Sequence, residues 1–368
     1  MSLFLIDAGK EWRGGQRQVL FLARELQRAN YAFWLAVQRG GPLHKKADEE
    51  GLPLLPLKIR NEADLLAVLR LAAAMRRRRC VLAHFHDAHG AGIGTRAAGL
   101  AKVPLRVISR RVDFPIRSKS KYTKEIDAII AISEGVKKVL VEDGIRAELV
   151  EVIPSGIDFS PFEEVRERDF LRREFRFGPD DFLVGIVAQL EDHKGHRYLL
   201  EAAQILKGQV PNVKFVIVGA GSLRLDLDRQ AHNLHVDDIV YFLGFREDVP
   251  RILASLDLFV LSSHMEGLGS SLLDAMASRL PVVATTAGGI PEVVIDRETG
   301  LLVPPRDPAA LAQAILKVCL DKGLAARLAQ RGYEVVHEKF SAESMARRVI
   351  AVYERLAAKK GVRLGRAL

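Results

Sequence analysis

Two acids set eight positions apart carry the strongest chemical signal. Glu266 stands in Ser262-Ser263-His264-Met265-Glu266-Gly267-Leu268-Gly269, just past the apolar run Leu258–Leu261. Asp274 stands in Ser270-Ser271-Leu272-Leu273-Asp274-Ala275-Met276-Ala277, a helical pattern that is otherwise largely apolar. A carboxylate buried there without a partner is costly, so Asp274 belongs on a solvent stripe or beside a specific donor such as a ligand hydroxyl. The backbone N–H groups of Leu268 to Ser271 open that helix, where unsatisfied amides favour an anion such as phosphate. Two unrelated acids would leave the same pattern.

Other candidates lie where an apolar run meets a helix start. Lys194, in Gln189-Leu190-Glu191-Asp192-His193-Lys194-Gly195, is either a point charge for a phosphate or a solvated lysine. Gly219-Ala220-Gly221-Ser222 begins like a dinucleotide fingerprint, but Arg224 occupies the third glycine position, which makes a poor nicotinamide signature. Gly14-Gly15 precedes a helical stripe and reads as a close backbone approach or as a plain turn. His84, His86 and His89 leave three readings open: a metal site, a satisfied structural histidine, or a hydrogen-bonding histidine at a cleft. The absence of nearby Cys or Glu disfavours the first. Ala287-Gly288-Gly289-Ile290-Pro291 offers a further tight approach.

The elements that must position these residues alternate. Strands are expected at Leu3–Ile6, Phe33–Val37, Cys80–Phe85, Leu105–Ser109, Ala128–Ile132 and Glu151–Ile153. A second series follows at Leu183–Ala188, Lys214–Val218, Ile239–Phe242, Leu258–Leu261 and Val282–Thr285. Helical stripes at Gln16–Arg28, Leu199–Leu206 and Leu311–Val318 intervene, which predicts one doubly wound parallel sheet in each half. Ligands in such sheets bind beyond the carboxyl ends of the strands. The turn-rich run Pro154-Ser155-Gly156-Ile157-Asp158 marks the boundary.

The 368 residues exceed what one core supports, roughly 250 to 300 residues. With 48% hydrophobic and 27% charged residues the composition is that of a folded soluble chain. No apolar run approaches the roughly 18 residues of a membrane span, and Asp7 arrives too early for a signal-peptide core. Cys80 and Cys319 alone support neither a disulfide framework nor a four-ligand zinc site, so a cytoplasmic chain without structural metal is expected. The net charge of +9 lies wholly within residues 1–160, while residues 161–368 balance. Arg76 to Arg79 form one cluster, and Arg106, Arg110, Arg111, Arg117, Lys119, Lys121 and Lys124 form another. Such a field is either a solvated face or an attractor of polyanions. Nucleic acid is disfavoured, because no zinc finger, RNP pattern or interleaved aromatics accompany the clusters.

In combination these residues resemble a known family. Met265 to Met276 looks like the acidic E-x7-E signature of GT-B-fold retaining glycosyltransferases of family 4, here as E-x7-D. Further matches follow in order: Gly14-Gly15, His86, Ala131-Ile132-Ser133-Glu134-Gly135-Val136, Ile153-Pro154-Ser155-Gly156, Lys194-Gly195, Val218-Gly219-Ala220-Gly221, Leu243-Gly244-Phe245-Arg246, Gly288-Gly289-Ile290-Pro291-Glu292 and Thr299-Gly300-Leu301-Leu302-Val303. The resemblance implies an α/β chain with two Rossmann-like domains facing across a cleft. Residues 1–165 would bind the acceptor, joined by a C-terminal helix at about 346–368, and residues 166–345 would bind the nucleotide-sugar donor. Glu266 would contact donor-sugar hydroxyls, Asp274 the ribose, and Lys194 the diphosphate together with amides of Gly267, Leu268, Gly269 and Ser270. Gly219, Gly244, Phe245 and Arg246 would line the base pocket, and Gly221 and Gln189 would belong to the same donor site. Gly15 and His86 would close over phosphate and sugar, with Gly14 also on the donor side and His86, Lys194 and Glu266 nearest the chemistry.

Two departures bear on that carry-over. Asp274 stands where the family usually has glutamate, one methylene longer. Gln189 stands where it tends to have an arginine, so phosphate neutralisation falls to Lys194, helped by Arg110 or Arg111. The implied activity is retaining sugar transfer from a UDP-, GDP- or ADP-sugar, without metal or other cofactor, to a glycan or lipid-linked acceptor in bacterial envelope polysaccharide or lipopolysaccharide synthesis. Arg110, Arg111 and Arg117 would face the acceptor or an anionic membrane, the protein being peripheral on its cytoplasmic side. A non-hydrolysing nucleotide-sugar epimerase, a non-catalytic nucleotide-sugar binder and a nicotinamide oxidoreductase remain as alternatives.

Overall fold

The computed structural model describes residues 1–116, 122, 125–165 and 167–367. They form two compact units: Met1–Gly156 together with the chain from Ala342 onward, and Ile157–Ser341. The expected divisions at 165 and 345 therefore move to 156 and 341. The cause is local. The Ile157 N–H donates to the Phe340 carbonyl at 2.8 Å, and Phe159 stacks on His337 with ring centroids 4.4 Å apart, so the turn after Gly156 already belongs to the second unit.

The first unit is built on seven parallel strands: β1 (Ser2–Asp7), β2 (Phe33–Gln38), β3 (Leu54–Leu57), β4 (Cys80–Phe85), β5 (Leu105–Arg110), β6 (Ala128–Ala131) and β7 (Val150–Val152). Their order is β3-β2-β1-β4-β5-β6-β7, which reverses direction between β1 and β4. Both of those strands are buried along their whole length, as expected of parallel strands covered by helices on both faces. The helix Gly14–Arg28 and the C-terminal helix Ala342–Lys359 share one core, through Val19, Leu22, Leu26, Val349 and Tyr353. Tyr353, fully buried, hydrogen-bonds His84 Nδ1 on β4, and His84 Nε2 meets Ser109 Oγ on β5 at 2.8 Å. The last helix is thereby tied to the centre of the first sheet.

The second unit holds six parallel strands: β8 (Phe182–Val187), β9 (Val213–Val218), β10 (Val240–Gly244), β11 (Leu258–Leu261), β12 (Val282–Thr285) and β13 (Leu301–Val303). Their order is β10-β9-β8-β11-β12-β13, reversing between β8 and β11. Strands β3 and β13 have no counterpart among the strands expected from sequence. Among the described residues no helix is long and apolar enough to cross a membrane.

Candidate functional site

At a reversal of strand order the connecting loops diverge to opposite faces and leave a crevice past the strand ends. Each unit has one such point, and most of the expected site residues collect there.

In the second unit the crevice lies past β8 and β11. The chain leaving β8 makes one turn, Asp192–Lys194, before the helix His196–Lys207 begins. The Lys194 ammonium donates to Glu266 Oε2 at 2.5 Å, with side chains 17% and 11% exposed. Ser263 Oγ donates to the same carboxylate oxygen at 3.1 Å, and the Glu266 carbonyl accepts the Gly289 N–H at 2.9 Å. The two loops are laced together: Ser262 Oγ donates to the Lys194 carbonyl at 3.1 Å, and the His264 N–H donates to the His193 carbonyl at 2.9 Å. Gly195, at φ +68°, lies so close to β11 that a Cβ would stand 2.0 Å from the Ser262 oxygen. Any side chain there would push the lysine turn away from Glu266.

Beyond Glu266, Gly267 and Leu268 are buried and Gly269 begins the helix Ser270–Ala277 with no side-chain cap. Its first amides therefore depend on water or a ligand. Asp274 is 6% exposed on that helix, and its own carbonyl accepts from Ser278 Oγ at 3.0 Å. Past β9, Gly219 adopts φ +144° and donates its N–H to the Gly244 carbonyl at 2.8 Å. Gly221 lies against the Leu190 carbonyl, and Gln189 is half-buried in the same loop. These residues build one surface from the ends of β8, β9, β10 and β11.

The three expected base-pocket residues at the end of β10, Gly244, Phe245 and Arg246, divide. Gly244 borders open space and Phe245 is 60% exposed, whereas Arg246 is bound by Glu174 at 2.6 Å and by Asp248 at 2.7 Å. Hydrogen bonds donated to Asp248 and then to Glu174 hold its guanidinium above the usual range. Arg246 thus clamps the loop to the helix Phe170–Phe175, a role the sequence does not announce because Glu174 lies 72 positions away.

In the first unit the crevice lies past β1 and β4. His86 directly follows β4, 4% exposed, with its ring centroid 3.9 Å from that of His84 and neither ring nitrogen hydrogen-bonded to protein. Burial, then the neighbouring His84 and Arg111, hold it well below the usual histidine value, so it is neutral. Gly14 and Gly15 open the helix Gly14–Arg28, whose Gln16 both accepts the Arg13 N–H at 3.2 Å and donates to Asp7 at 3.0 Å. Gly15 lies against Arg111, a Cβ there standing 3.5 Å from Arg111 Cδ. Of the three histidines only His89 is exposed, facing Glu62 at 3.3 Å, and no described group of three His, Cys, Asp or Glu could hold a metal.

The arginines of the second basic cluster, Arg110 and Arg111 of the expected acceptor or membrane side among them, are held in different ways. Arg106 is buried on β5 and bound to Glu125. Arg110 is half-buried and bound to Tyr122 Oη at 3.0 Å and to the Phe114 carbonyl. Arg111 turns inward, its Nε enclosed, and burial lowers it to about 10 despite Asp7 and Tyr353. Helices cover this sheet on both faces, so a basic residue within β5 is enclosed whichever side it takes, which residue counting along the cluster ignores. Arg117, Lys119, Lys121 and Lys124 lie outside the described residues.

Sequence reading also passed over Asp7, Asp87, Ser263 and Tyr353. Asp7, a charge ending an apolar strand, was visible in principle. It is 1% exposed and its carboxylate accepts Gly9 N–H and Gln16 Nε2. Asp87 caps the helix Ala88–Leu100 and accepts the Ala8 N–H at 2.8 Å. Burial, then the charge of Asp87, raises Asp7 from 3.8 to about 6. Between those values an unfolded chain releases a proton that the folded chain keeps, so stability falls as pH rises, and above pH 6 the full penalty is present. At about 1.4 kcal/mol per pH unit this reaches about 3 kcal/mol. Asp7→Asn should match the wild type near pH 4 and exceed it by about 1–3 kcal/mol at pH 8 in denaturant unfolding. A difference that stays constant with pH would contradict this account.

The comparisons with known proteins follow the same two units. A family model for glycosyl transferases group 1 matches residues 167–335, and one for glycosyltransferase family 4 matches residues 12–160. The chain belongs to the group 1 glycosyltransferases. This glycosyltransferase is 33% identical over 218 residues to the putative glycosyltransferase EpsD of Bacillus subtilis, a match covering 58% of this chain and 56% of the relative. It is 32% identical over 238 residues to the lipopolysaccharide core biosynthesis glycosyltransferase LpsE of Rhizobium meliloti, covering 65% and 66%. The chain thus spans less than two thirds of either relative's length. Its fold is that of Anabaena Alr3699/HepE, solved in complex with UDP-glucose, at TM-score 0.87 and 22% identity over 96% of this chain and 100% of that one.

Proposed function

We propose that this glycosyltransferase moves a sugar from a nucleotide-diphosphate sugar to a glycan or lipid-linked acceptor with retention of anomeric configuration. The observation that carries the reading is the Lys194–Glu266 pair at the β8/β11 crevice, beside an uncapped helix start. Departure of a diphosphate from an anomeric carbon builds negative charge on phosphate oxygens and oxocarbenium-like charge on the sugar. Fixed donors aimed at the developing charge lower that barrier. Lys194 and the amides from Leu268 to Ser270 take the diphosphate, Glu266 takes sugar hydroxyls, and Asp274 takes the ribose. The acceptor attacks on the face the phosphate leaves, and a phosphate oxygen receives its proton, so no separate enzymic nucleophile is required. His86, neutral and enclosed, acts in the same chemistry as a hydrogen-bonding group.

Neutralisation by protein groups assigns no role to a metal or other cofactor; abolition of turnover by EDTA, restored by a divalent ion, would overturn that part. The names of relatives support the acceptor class. EpsD and LpsE are a glycosyltransferase and a lipopolysaccharide core enzyme, and an Escherichia coli relative, 27% identical over 312 residues, is a galactosyltransferase acting on GlcNAc-diphosphoundecaprenol. We place the protein at the cytoplasmic face of an anionic membrane, where such acceptors present their sugars.

The test is a thermal-shift screen of UDP, GDP, ADP and their sugar conjugates, followed by assay of nucleoside diphosphate release with glycan and lipid-diphosphate acceptors. A donor at a hundred times its Kd should stabilise the protein by about 2.7 kcal/mol. Donor binding without release in the presence of any acceptor would favour the non-catalytic reading. Release without acceptor, yielding a 2-epimer, would favour the epimerase.

A further inference from the structure

The helix Leu65–Arg77 of the first unit buries one side and leaves an unusual other side. Ala67, Val68, Leu71, Ala72 and Met75 face the interior. Leu65, Leu66 and Leu69 point outward, 65%, 57% and 50% exposed. At about 100° per residue these leucines and Ala73 fall within one arc, with Arg70, Arg76 and Arg77, all exposed, interspersed and at its edge. The neighbouring helix Ala88–Leu100 adds exposed Leu100, whose carbonyl accepts from Arg76, and Arg96, which donates to the Glu62 carbonyl. The acids bordering this face are Glu62 and Asp64, and Asp64 is engaged in capping the helix through the Ala67 N–H at 3.1 Å.

We propose that this face docks the protein on an anionic bilayer, the leucines entering the headgroup boundary while the arginines meet lipid phosphates. The inference rests on the membrane part of the reading above and names the surface responsible. An outward arc that mixes leucines with arginines fits an interface of that chemistry: apolar side chains gain from leaving water, and each basic group is drawn to the negative leaflet. A second copy of the chain fits less well, because a symmetric contact through this face would bring arginines against arginines. Orientation follows from topology. The helix runs antiparallel to the strands it follows, so its leucine-bearing start lies at the carboxyl edge of the first sheet. Contacts of Glu62 with the start of the helix Ala88–Leu100 fix it there. That edge carries His86, Gly15 and Arg111, so the leucine-bearing end of the docked helix is the end beside the first unit's crevice.

The experiment is co-sedimentation of the full chain with phosphatidylcholine vesicles containing about 30% phosphatidylglycerol, and with phosphatidylcholine alone, at about 0.1 M salt. The wild type should bind the anionic vesicles at least tenfold more tightly. Leu65→Ser/Leu66→Ser/Leu69→Ser should lose tenfold or more, with an unchanged melting temperature because each leucine is at least half exposed. Arg70→Gln/Arg77→Gln should weaken binding and flatten its salt dependence. Lys194→Ala should bind vesicles like the wild type, so failure of the sugar chemistry and failure of docking are read separately. Wild-type vesicle binding by the triple-leucine variant overturns the proposal. So does dimerisation of the wild type that the triple variant abolishes while vesicles are ignored, which would assign the face to a second copy.

Discussion

Lys194→Ala is expected to lower kcat/KM for the nucleotide-sugar donor about a hundredfold or more, the range found when one preorganised donor to a developing oxyanion is removed. The ammonium is held at the β8/β11 crevice by Glu266 at 2.5 Å. It is therefore placed before any ligand arrives, and a diphosphate needs only to share it. Loss of the lysine has a second effect. Glu266 stays partly buried without its cation, which costs about 1–3 kcal/mol of stability. The two effects separate in a double variant. Lys194→Ala/Glu266→Gln should recover much of the melting temperature, because the uncompensated charge is gone, while turnover stays low. Lys194→Arg should hold stability and restore turnover only in part, since a planar guanidinium does not reproduce a point charge on a flexible stem. Turnover of Lys194→Ala within twofold of the wild type would remove the lysine from the mechanism.

Gly219→Ala should cost the second unit about 4 kcal/mol or more, a loss of the size reserved for gross steric or strain defects. A Cβ at Gly219 would stand 1.9 Å from the Ala188 carbonyl oxygen, and φ is +144°, where L side chains are strained. Neither atom can yield cheaply. The Ala188 N–H is bound to Val218 at 3.0 Å and the Gly219 N–H to Gly244, so relief would break the ladder joining β8, β9 and β10. Domains of this size hold about 5–15 kcal/mol in total, so the variant should express poorly or melt well below the wild type. Ala220→Ser, the adjacent control on an exposed residue, should be near neutral. A melting temperature for Gly219→Ala within a few degrees of the wild type would show that the loop moves where this account says it cannot.

The strand–helix alternation was legible because parallel strands buried on both faces read as short apolar runs. β4, β11 and β12 have the limits their apolar runs imply, β1, β2, β5 and β9 extend beyond them, β6 ends early, and β7, β8 and β10 are slightly shifted. β3 was not legible because Leu54–Leu57 carries Pro56, a residue that argues against a central strand; β3 is in fact an edge strand, where a missing N–H is tolerated. β13 is three residues long and also lies at an edge, too short for periodicity to register. The basic cluster was legible as charge but not as position. Sequence counts charges but does not say how far each is enclosed: Arg106 is buried on β5, whereas Arg111, just past it, is enclosed only in part.

The site divides along the same line. Sequence alone determined which chemical groups follow which strand: an acid after Leu258–Leu261, a lysine after the apolar run ending near Ala188, glycines after Val218. These are local matters of residue type and of where an apolar run stops. Only the tertiary structure decided which groups meet. Lys194 and Glu266 are 72 positions apart and touch because β8 and β11 are neighbours at a reversal of strand order, a pairing set by how the helices cross the sheet. His84 and Tyr353, 269 positions apart, meet because the last helix returns to the first core. Asp7 acquires its raised value from Asp87 and from burial, neither of which is present until β1 and β4 lie side by side. Spacing along the chain encodes what a loop carries, whereas distance and dielectric exist only once the sheet has formed.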